Sequence, residues 1–157
     1  MSAPERISLQ PPQSIRVNGA DIIIKEEIGK GGFGSVYLLE YEDDEYAAKL
    51  YRMWEILPDE REDILSRIYQ EYRISETIDS PYVVKILTYQ EIKGNPFLIM
   101  EYCAGGSLRS VIGKKLSFEE ITKIVNNICL GLVAMHDQNF IHRDIKPENI
   151  LFHEDGQ

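Results

Sequence analysis

The feature that most constrains this chain is a glycine loop set between two strand-forming runs. Gly29-Lys30-Gly31-Gly32-Phe33-Gly34 matches the pattern GxGxxG. Before it, Ile22-Ile23-Ile24 opens a run that continues to Ile28, and after it comes Ser35-Val36-Tyr37-Leu38-Leu39, rich in β-formers. In dinucleotide-binding folds the same glycine pattern opens a helix. Here a strand follows, so the loop joins two antiparallel strands and argues against a dinucleotide-dependent oxidoreductase. A hairpin of this kind suits a lid over phosphates, because bare backbone lets amides approach phosphate oxygens closely. Phe33 at the tip would shield those oxygens from water. No GxxxxGK[ST] loop occurs in the sequence.

Other segments take their places around this loop. Residues 1–13 contain Pro and Gln without periodicity and read as a mobile leader. Asn18-Gly19 is a strong turn pair with apolar residues on each side, so the leader, taken as 1–20, has the pattern of an extra strand at its end. Residues 40–45 hold five acids in six positions and read as a solvated hairpin turn before a strand at 46–51. Pro58-Asp59 opens a helix with Asp59 as its cap, and Ile64, Ile68, Tyr72 and Ile78 form its apolar stripe up to Ser80-Pro81. Strands follow at 83–91 and 97–101, joined by the turn Lys93-Gly94-Asn95, and then a short helix at 107–112. Ser117-Phe118-Glu119-Glu120 has the spacing of a capping box. The helix after it carries Ile121, Ile124, Val125, Ile128, Leu132 and Met135, a stripe that calls for a packing partner.

Composition narrows the class. A chain of 157 residues with 43% hydrophobic content suits one domain, or one and a fraction. Seventeen basic residues against 26 acids leave a net charge of −9, which argues against a general nucleic-acid binder. No window reaches the roughly 18 apolar residues of a membrane helix. The start lacks a signal-peptide pattern, and Ser2 stands where myristoylation needs glycine. Cys103 and Cys129 form no CxxC pair, so a reducing compartment is the default. The expected setting is cytoplasmic, with the nucleus also open. Nothing in the sequence speaks to oligomeric state.

Three motifs then occur in order: GxGxxGxV from Gly29, Ala47-Ala48-Lys49, and His142-Arg143-Asp144-Ile145-Lys146-Pro147-Glu148-Asn149. Together they closely resemble the eukaryotic protein kinase family. The resemblance runs from about Ile22 to Phe152. It implies an α+β, protein kinase-like fold: a five-stranded antiparallel small lobe with its αC helix, then the first helices and catalytic loop of an α-helical large lobe. The implied organisation is a leader at 1–20, a small lobe at 21–101, and a hinge with a partial large lobe at 102–157.

Roles follow by position. The family implies that Gly29, Gly31 and Gly34 cover the phosphates of ATP, and that Val36 and Ala47 roof the adenine pocket. Lys49 would bind the α- and β-phosphates and need an acid to hold its stem. Glu71 is the candidate acid, because the stripe around Ile68 aims it inward; an exposed helix acid like Glu62 or Glu76 is the rival reading. Met100 would be the gatekeeper of a hinge in which the backbones of Glu101 and Cys103 bond adenine. Leu108 and Leu151 would complete the adenine floor. Asp144 would serve as acid–base toward the attacking hydroxyl, Lys146 would steady the γ-phosphate, and Asn149 would hold Mg²⁺. Lys146 resembles the serine/threonine branch, which implies a protein substrate bearing Ser or Thr. Arg143 would meet a phosphorylated activation loop, with a local ion pair as the reading that stays open. His142 reads as a packing residue rather than a base.

The sequence also departs from the family. Ser75 stands where a bulky apolar residue is usual, four positions after Glu71. No Asp-Phe-Gly follows Asn149 within the 157 residues. Two hypotheses therefore stand: a Ser/Thr kinase of which this chain is the first part, and a non-catalytic kinase-like module that binds nucleotide or a partner without turnover. On the first, residues 1–157 alone are expected to transfer little or no phosphate, because the Asp-Phe-Gly aspartate is a principal holder of the metal ions. Radiolabel transfer to a generic basic protein checks this. Strong transfer that disappears in Lys49→Met would contradict it.

Overall fold

Alternating apolar residues and tight turns build one antiparallel sheet in the first half of the chain. In the computed structural model, residues 3–32 and 34–154 are described; Phe33, expected at the loop tip, lies outside them. The strands are β1 (Gln13–Val17), β2 (Ala20–Lys30), β3 (Gly34–Tyr41), β4 (Asp44–Tyr51), β5 (Ile86–Ile92) and β6 (Asn95–Glu101). Their order in the sheet is β1-β2-β3-β4-β6-β5, all antiparallel. Five of these form the small-lobe sheet expected from the sequence. The sixth, β1, comes from the leader and pairs along β2 from Gln13↔Ile24 to Val17↔Ala20. The α1 helix spans Arg61–Ser75 and packs on one face of the sheet.

Three hairpins close through two-residue turns with both central residues left-handed: Asn18-Gly19, Glu42-Asp43 and Lys93-Gly94. That geometry matches the twist of paired strands. Asn95, expected in the third turn, is instead the first residue of β6 and is wholly buried.

The sheet has a core on each face. Around Ile68 of α1 lie Tyr51, Met53, Ile86 and Leu98. The opposite face buries Val17, Ile22, Ile24, Leu39, Leu50, Phe97 and Ile99. Here the structure corrects the reading of residues 1–13 as mobile. Leu9 is buried in this second core and Ile7 packs against it, because the pair alternates with polar residues and presents one apolar edge. The Glu5 N–H donates to the Lys93 carbonyl at 3.1 Å. The Asn95 side chain fixes the segment further. Its Nδ2 donates to the carbonyls of Glu5 (2.9 Å), Lys93 (3.0 Å) and Ile92 (3.2 Å), and its Oδ1 accepts from the Met53 N–H at 3.0 Å.

The helix boundaries also differ from expectation. Asp59 does not cap α1. The cap position is Glu60, with no side-chain hydrogen bond to the helix. The helix ends at Ser75, so Ile78 lies past it, although Ile78 is buried. Ser75 is buried and donates its hydroxyl to the Tyr72 carbonyl at 2.7 Å, so a polar group replaces an apolar one without being left unpaired.

By its contacts the chain divides into two units: Met1–Glu76 with Lys85–Tyr102, and Thr77–Val84 with Cys103–Gln157. The second unit contains β7 (Gly106–Ser107) and β8 (Leu151–Phe152), paired to each other, and the helix α2 (Phe118–Asp137). The segment expected as a short helix at 107–112 is a 3-10 turn, Leu108–Val111. The Ser117 capping box is formed in both directions. On α2, Ile121 and Val125 are exposed, while Ile124, Ile128, Leu132 and Met135 are half-buried. Gly131 is buried where a Cβ would stand 2.6 Å from the Tyr82 carbonyl, which only glycine tolerates. No helix among the described residues is long and apolar enough to cross a membrane.

Asn95 generates a stability prediction. Asn95→Ala leaves the Met53 N–H and three carbonyls without this partner in a buried place. Urea unfolding of the 157-residue chain should show a loss of about 2–4 kcal/mol, the scale of abandoning more than one buried polar group. A loss below about 0.5 kcal/mol would mean that the Asn95 amide does not hold the leader.

Candidate functional site

In the first unit, the register of three strands assembles one set of candidates. Val36 pairs with Lys49 and Lys49 with Leu98; Leu38 pairs with Ala47 and Ala47 with Met100. Directly paired residues point to the same face, and so do residues two apart. Val36, Ala47, Lys49 and Met100 therefore share a face. Ala47 is buried, and the other three are half-buried.

The glycine loop lies at the β2–β3 turn. Gly29 faces Val36 and Lys30 faces Ser35, and the Gly31 N–H donates to the Gly34 carbonyl at 2.8 Å. The glycines have different reasons to be glycine. A Cβ on Gly34 would sit 2.3 Å from the Leu50 carbonyl, so the approach of β4 excludes any side chain. A Cβ on Gly31 would meet only the Gly34 carbonyl at 3.9 Å, and one on Gly32 would meet nothing within 4 Å. Neither has a left-handed φ. Among the described residues, no neighbour requires glycine at these two exposed positions. A bare ribbon facing open space is what close approach by an oxygen-rich ligand needs.

Lys49 does not meet Glu71. No ion pair joins them, and Glu71 is exposed. The Lys49 ammonium lies instead over the Tyr51 ring, 4.4 Å from its centroid. Tyr51 stands two residues along β4 on the same face, where its π-cloud can attract the cation. Burial, and then the charge of Glu71, push the Tyr51 phenol well up, so it stays a neutral hydroxyl. Tyr51 is thus the residue that Lys49 lies against.

At the end of β6, Glu101 is held at two points. Its N–H donates to the Lys85 carbonyl at 3.1 Å, and its Oε1 accepts from the Lys85 N–H at 2.6 Å.

In the second unit, Cys103 is buried and its carbonyl accepts from the Gly106 N–H at 3.3 Å. The β7–β8 pair sets Ser107 opposite Leu151, and the Leu108 N–H donates to the Ile150 carbonyl at 2.8 Å. Leu108 is half-buried and Leu151 exposed.

The loop 141–149 brings three expected residues together. Lys146 Nζ lies 2.8 Å from Asp144 Oδ2. Asn149 Nδ2 donates to the Asp144 Oδ2 at 2.9 Å and to the Asp144 carbonyl at 2.8 Å. The Lys146 hydrogen bond, with help from Asn149, holds the Asp144 carboxyl below the ordinary carboxylate range. All three side chains are exposed. Because Asn149 spends its NH₂ on Asp144, its Oδ1 is left without a donor among the described residues. His142 accepts the Asp144 N–H at Nδ1, 3.3 Å away, a local orienting bond. Arg143 takes a left-handed φ of 63°, a conformation that costs a non-glycine residue about 1–2 kcal/mol. Among the described residues, no group of three His, Cys, Asp or Glu is placed to hold a metal ion. A metal here would lean on the Asn149 amide oxygen, an oxygen ligand of the kind Mg²⁺ prefers.

Reading the sequence alone overlooks Tyr51 and Arg52. Period-two spacing from Lys49 is the signal that finds Tyr51. No short-range pattern marks Arg52, whose contacts are made at long range.

Comparisons with known proteins agree with this picture. The family described as protein kinase domain matches residues 22–157. Calcium-dependent protein kinase 6 of Plasmodium berghei is 34% identical over 134 residues, covering 84% of this chain and 9% of its own length. The serine/threonine-protein kinase cot-1 of Neurospora crassa is 38% identical over 133 residues, covering 82% and 22%. The serine/threonine-protein kinase pakH of Dictyostelium discoideum is 35% identical over 137 residues, covering 85% and 26%. The chain thus spans about a quarter or less of the length of these relatives. Among solved structures, the PpkA-294 apo form superposes with a TM-score of 0.79 at 22% identity, covering 95% of this chain and 59% of that one, a likeness of fold. With its glycine hairpin, its helix-backed antiparallel sheet and its His-Arg-Asp loop, this chain belongs to the protein kinase domain family.

Proposed function

We propose that this chain binds ATP with Mg²⁺ and supplies the phosphate-binding and catalytic-loop residues of a serine/threonine protein kinase. The observation that carries this reading is the Asp144–Lys146–Asn149 cluster, held together by hydrogen bonds from 2.8 to 2.9 Å. The relatives named as serine/threonine kinases support the same branch.

The residues have separable tasks. Gly29, Gly31 and Gly34 allow the loop backbone to approach phosphate oxygens. Val36, Ala47 and Met100, on one sheet face, offer an apolar surface to adenine, and the Glu101 backbone offers it a hydrogen bond; in the second unit, the family resemblance alone assigns the Cys103 backbone, Leu108 and Leu151 to adenine. Lys49 leaves Tyr51 for the α- and β-phosphates, with Glu71 as the acid that would steady it. Asp144 Oδ2 orients the substrate Ser or Thr hydroxyl and receives its proton, and Lys146 is the cation for the γ-phosphate. When bound, Mg²⁺ would neutralise charge on the phosphate oxygens, and Asn149 Oδ1 is the atom that would hold it. A second reading, a kinase-like module that binds nucleotide without turnover, draws on the unformed Lys49–Glu71 contact.

Two results are expected. In a polypeptide carrying the complete kinase domain, Asp144→Asn should lower kcat by about two orders of magnitude or more while nucleotide affinity stays within about twofold. Loss of nucleotide affinity instead would show that Asp144 is misassigned. Unaltered labelling, or labelling confined to tyrosine, would favour the second reading or another branch. The second result concerns charge. Because Lys146 is the main cause of the lowered Asp144 titration, Lys146→Met should move that titration upward toward the ordinary carboxylate range, read by carboxyl ¹³C shifts. No movement would detach Lys146 from Asp144.

A further inference from the structure

Arg52 follows β4 directly, and its side chain is only 12% exposed. Each nitrogen of its guanidinium is engaged. Nη2 donates to the Gly31 carbonyl at 2.7 Å and, at 3.4 Å, to the Gly32 carbonyl. Nη1 donates to the hydroxyl of Ser35 at 3.2 Å, and Nε to Glu55 Oε2 at 2.8 Å. Ser35 is buried at the start of β3, and Glu55 ends the 3-10 turn Met53–Glu55. A surface ion pair would account for Glu55 alone and would be worth little. It does not account for a largely buried fork whose shortest bond runs to a loop carbonyl.

The consequence lies in peptide geometry. The C=O and N–H of one trans peptide point in opposite directions. Pinning the Gly31 carbonyl on Arg52 therefore turns the Gly32 N–H away from the guanidinium. That N–H has no acceptor among the described residues, and the space beside the Gly32 Cα is open. A carbonyl that accepts a charge-assisted bond also polarises its peptide, which makes the N–H a better donor.

We propose that Arg52 is a positioning residue for the glycine loop: it holds the Gly31–Gly32 peptide so that the Gly32 N–H is presented to an anionic oxygen. This rests on the reading of the loop as a phosphate lid. The role needs arginine. A planar fork spans two carbonyls and a hydroxyl at once, whereas lysine offers a single flexible point charge. Glu55 orients the fork from the opposite side. The same contacts tie the loop to the 3-10 turn that precedes α1; the carbonyls of Met53 in that turn and of Ile56 just after it accept from Arg61 Nε at 3.1 and 3.0 Å.

The test uses the full 157-residue chain, with amide exchange measured without ligand and affinity measured with MgATP. Arg52→Gln should speed exchange of the Gly31 amide about tenfold while Ala48 and Phe97 amides stay within about twofold, a local opening rather than global unfolding. Arg52→Lys retains the charge but not the fork, and should track Arg52→Gln. MgATP affinity should fall about tenfold in both variants, the cost of an unplaced charge-assisted donor. The proposal is overturned if exchange is unaltered at Gly31. It is also overturned if exchange rises equally at Gly31, Ala48 and Phe97, or if Arg52→Lys matches the natural chain in both measurements. Should the natural chain bind no MgATP, the phosphate-lid reading fails by itself, and the exchange pattern alone decides whether Arg52 holds the loop.

Discussion

The register of β4 between β3 and β6 decides where Val36, Ala47, Lys49 and Met100 point. Val36↔Lys49↔Leu98 and Leu38↔Ala47↔Met100 are single rungs across three strands. A slip of one residue would turn Lys49 and Ala47 into the opposite core, where Ala48 and Leu50 now lie. Burial on both faces fixes that register, because the two cores each claim alternate residues of β4. The same register brings the Leu50 carbonyl against Gly34, which is why the last glycine of the loop cannot carry a side chain. Lys49 and the loop are thus placed by one set of ladder hydrogen bonds.

The outer core explains why residues before the glycine loop matter. β1 extends the sheet, and the stretch from Glu5 to Leu9 covers its apolar face. Asn95 joins three segments distant in sequence: the leader at Glu5, the β5–β6 turn at Ile92 and Lys93, and the 3-10 turn at Met53. A buried amide with all its bonds made is both stable and specific, since no apolar side chain can replace four directed contacts. In the second unit, order is more local. Asp144 is set by bonds from residues two and five positions away, and the left-handed Arg143 bends the chain immediately before it. Strain of this kind persists only where its surroundings over-determine it.

Much of this was legible in the sequence because the signals are short-range. Strand alternation, Asn-Gly and Lys-Gly turns, the Ser117–Glu120 capping box and the His-Arg-Asp motif act over a few residues, and each recovers an element or a site segment. Failures occur where long-range packing prevails. Residues 1–13 look mobile because Pro and Gln mask the Ile7 and Leu9 alternation, whose partner surface lies on the distant strands. Asn95 looks like a turn residue because its side-chain partners are distributed over the chain. The stripe around Ile68 marks the packed side of α1, but it does not carry Glu71 inward: Glu71 is exposed, as the rival reading has it, and Lys49 lies over Tyr51 instead.

The proposed function makes the Val36–Ala47–Lys49 face and the glycine loop a nucleotide-binding surface. Titrating the ¹⁵N-labelled chain with MgATP and following its amide shifts tests this most directly. Amides of Gly31, Gly32, Val36, Ala47 and Lys49 should move together along one binding curve, while Val17, Ile22 and Leu39 in the outer core stay still. Shifts confined to the outer core, or no saturable shift at the glycine loop and Lys49, would contradict it.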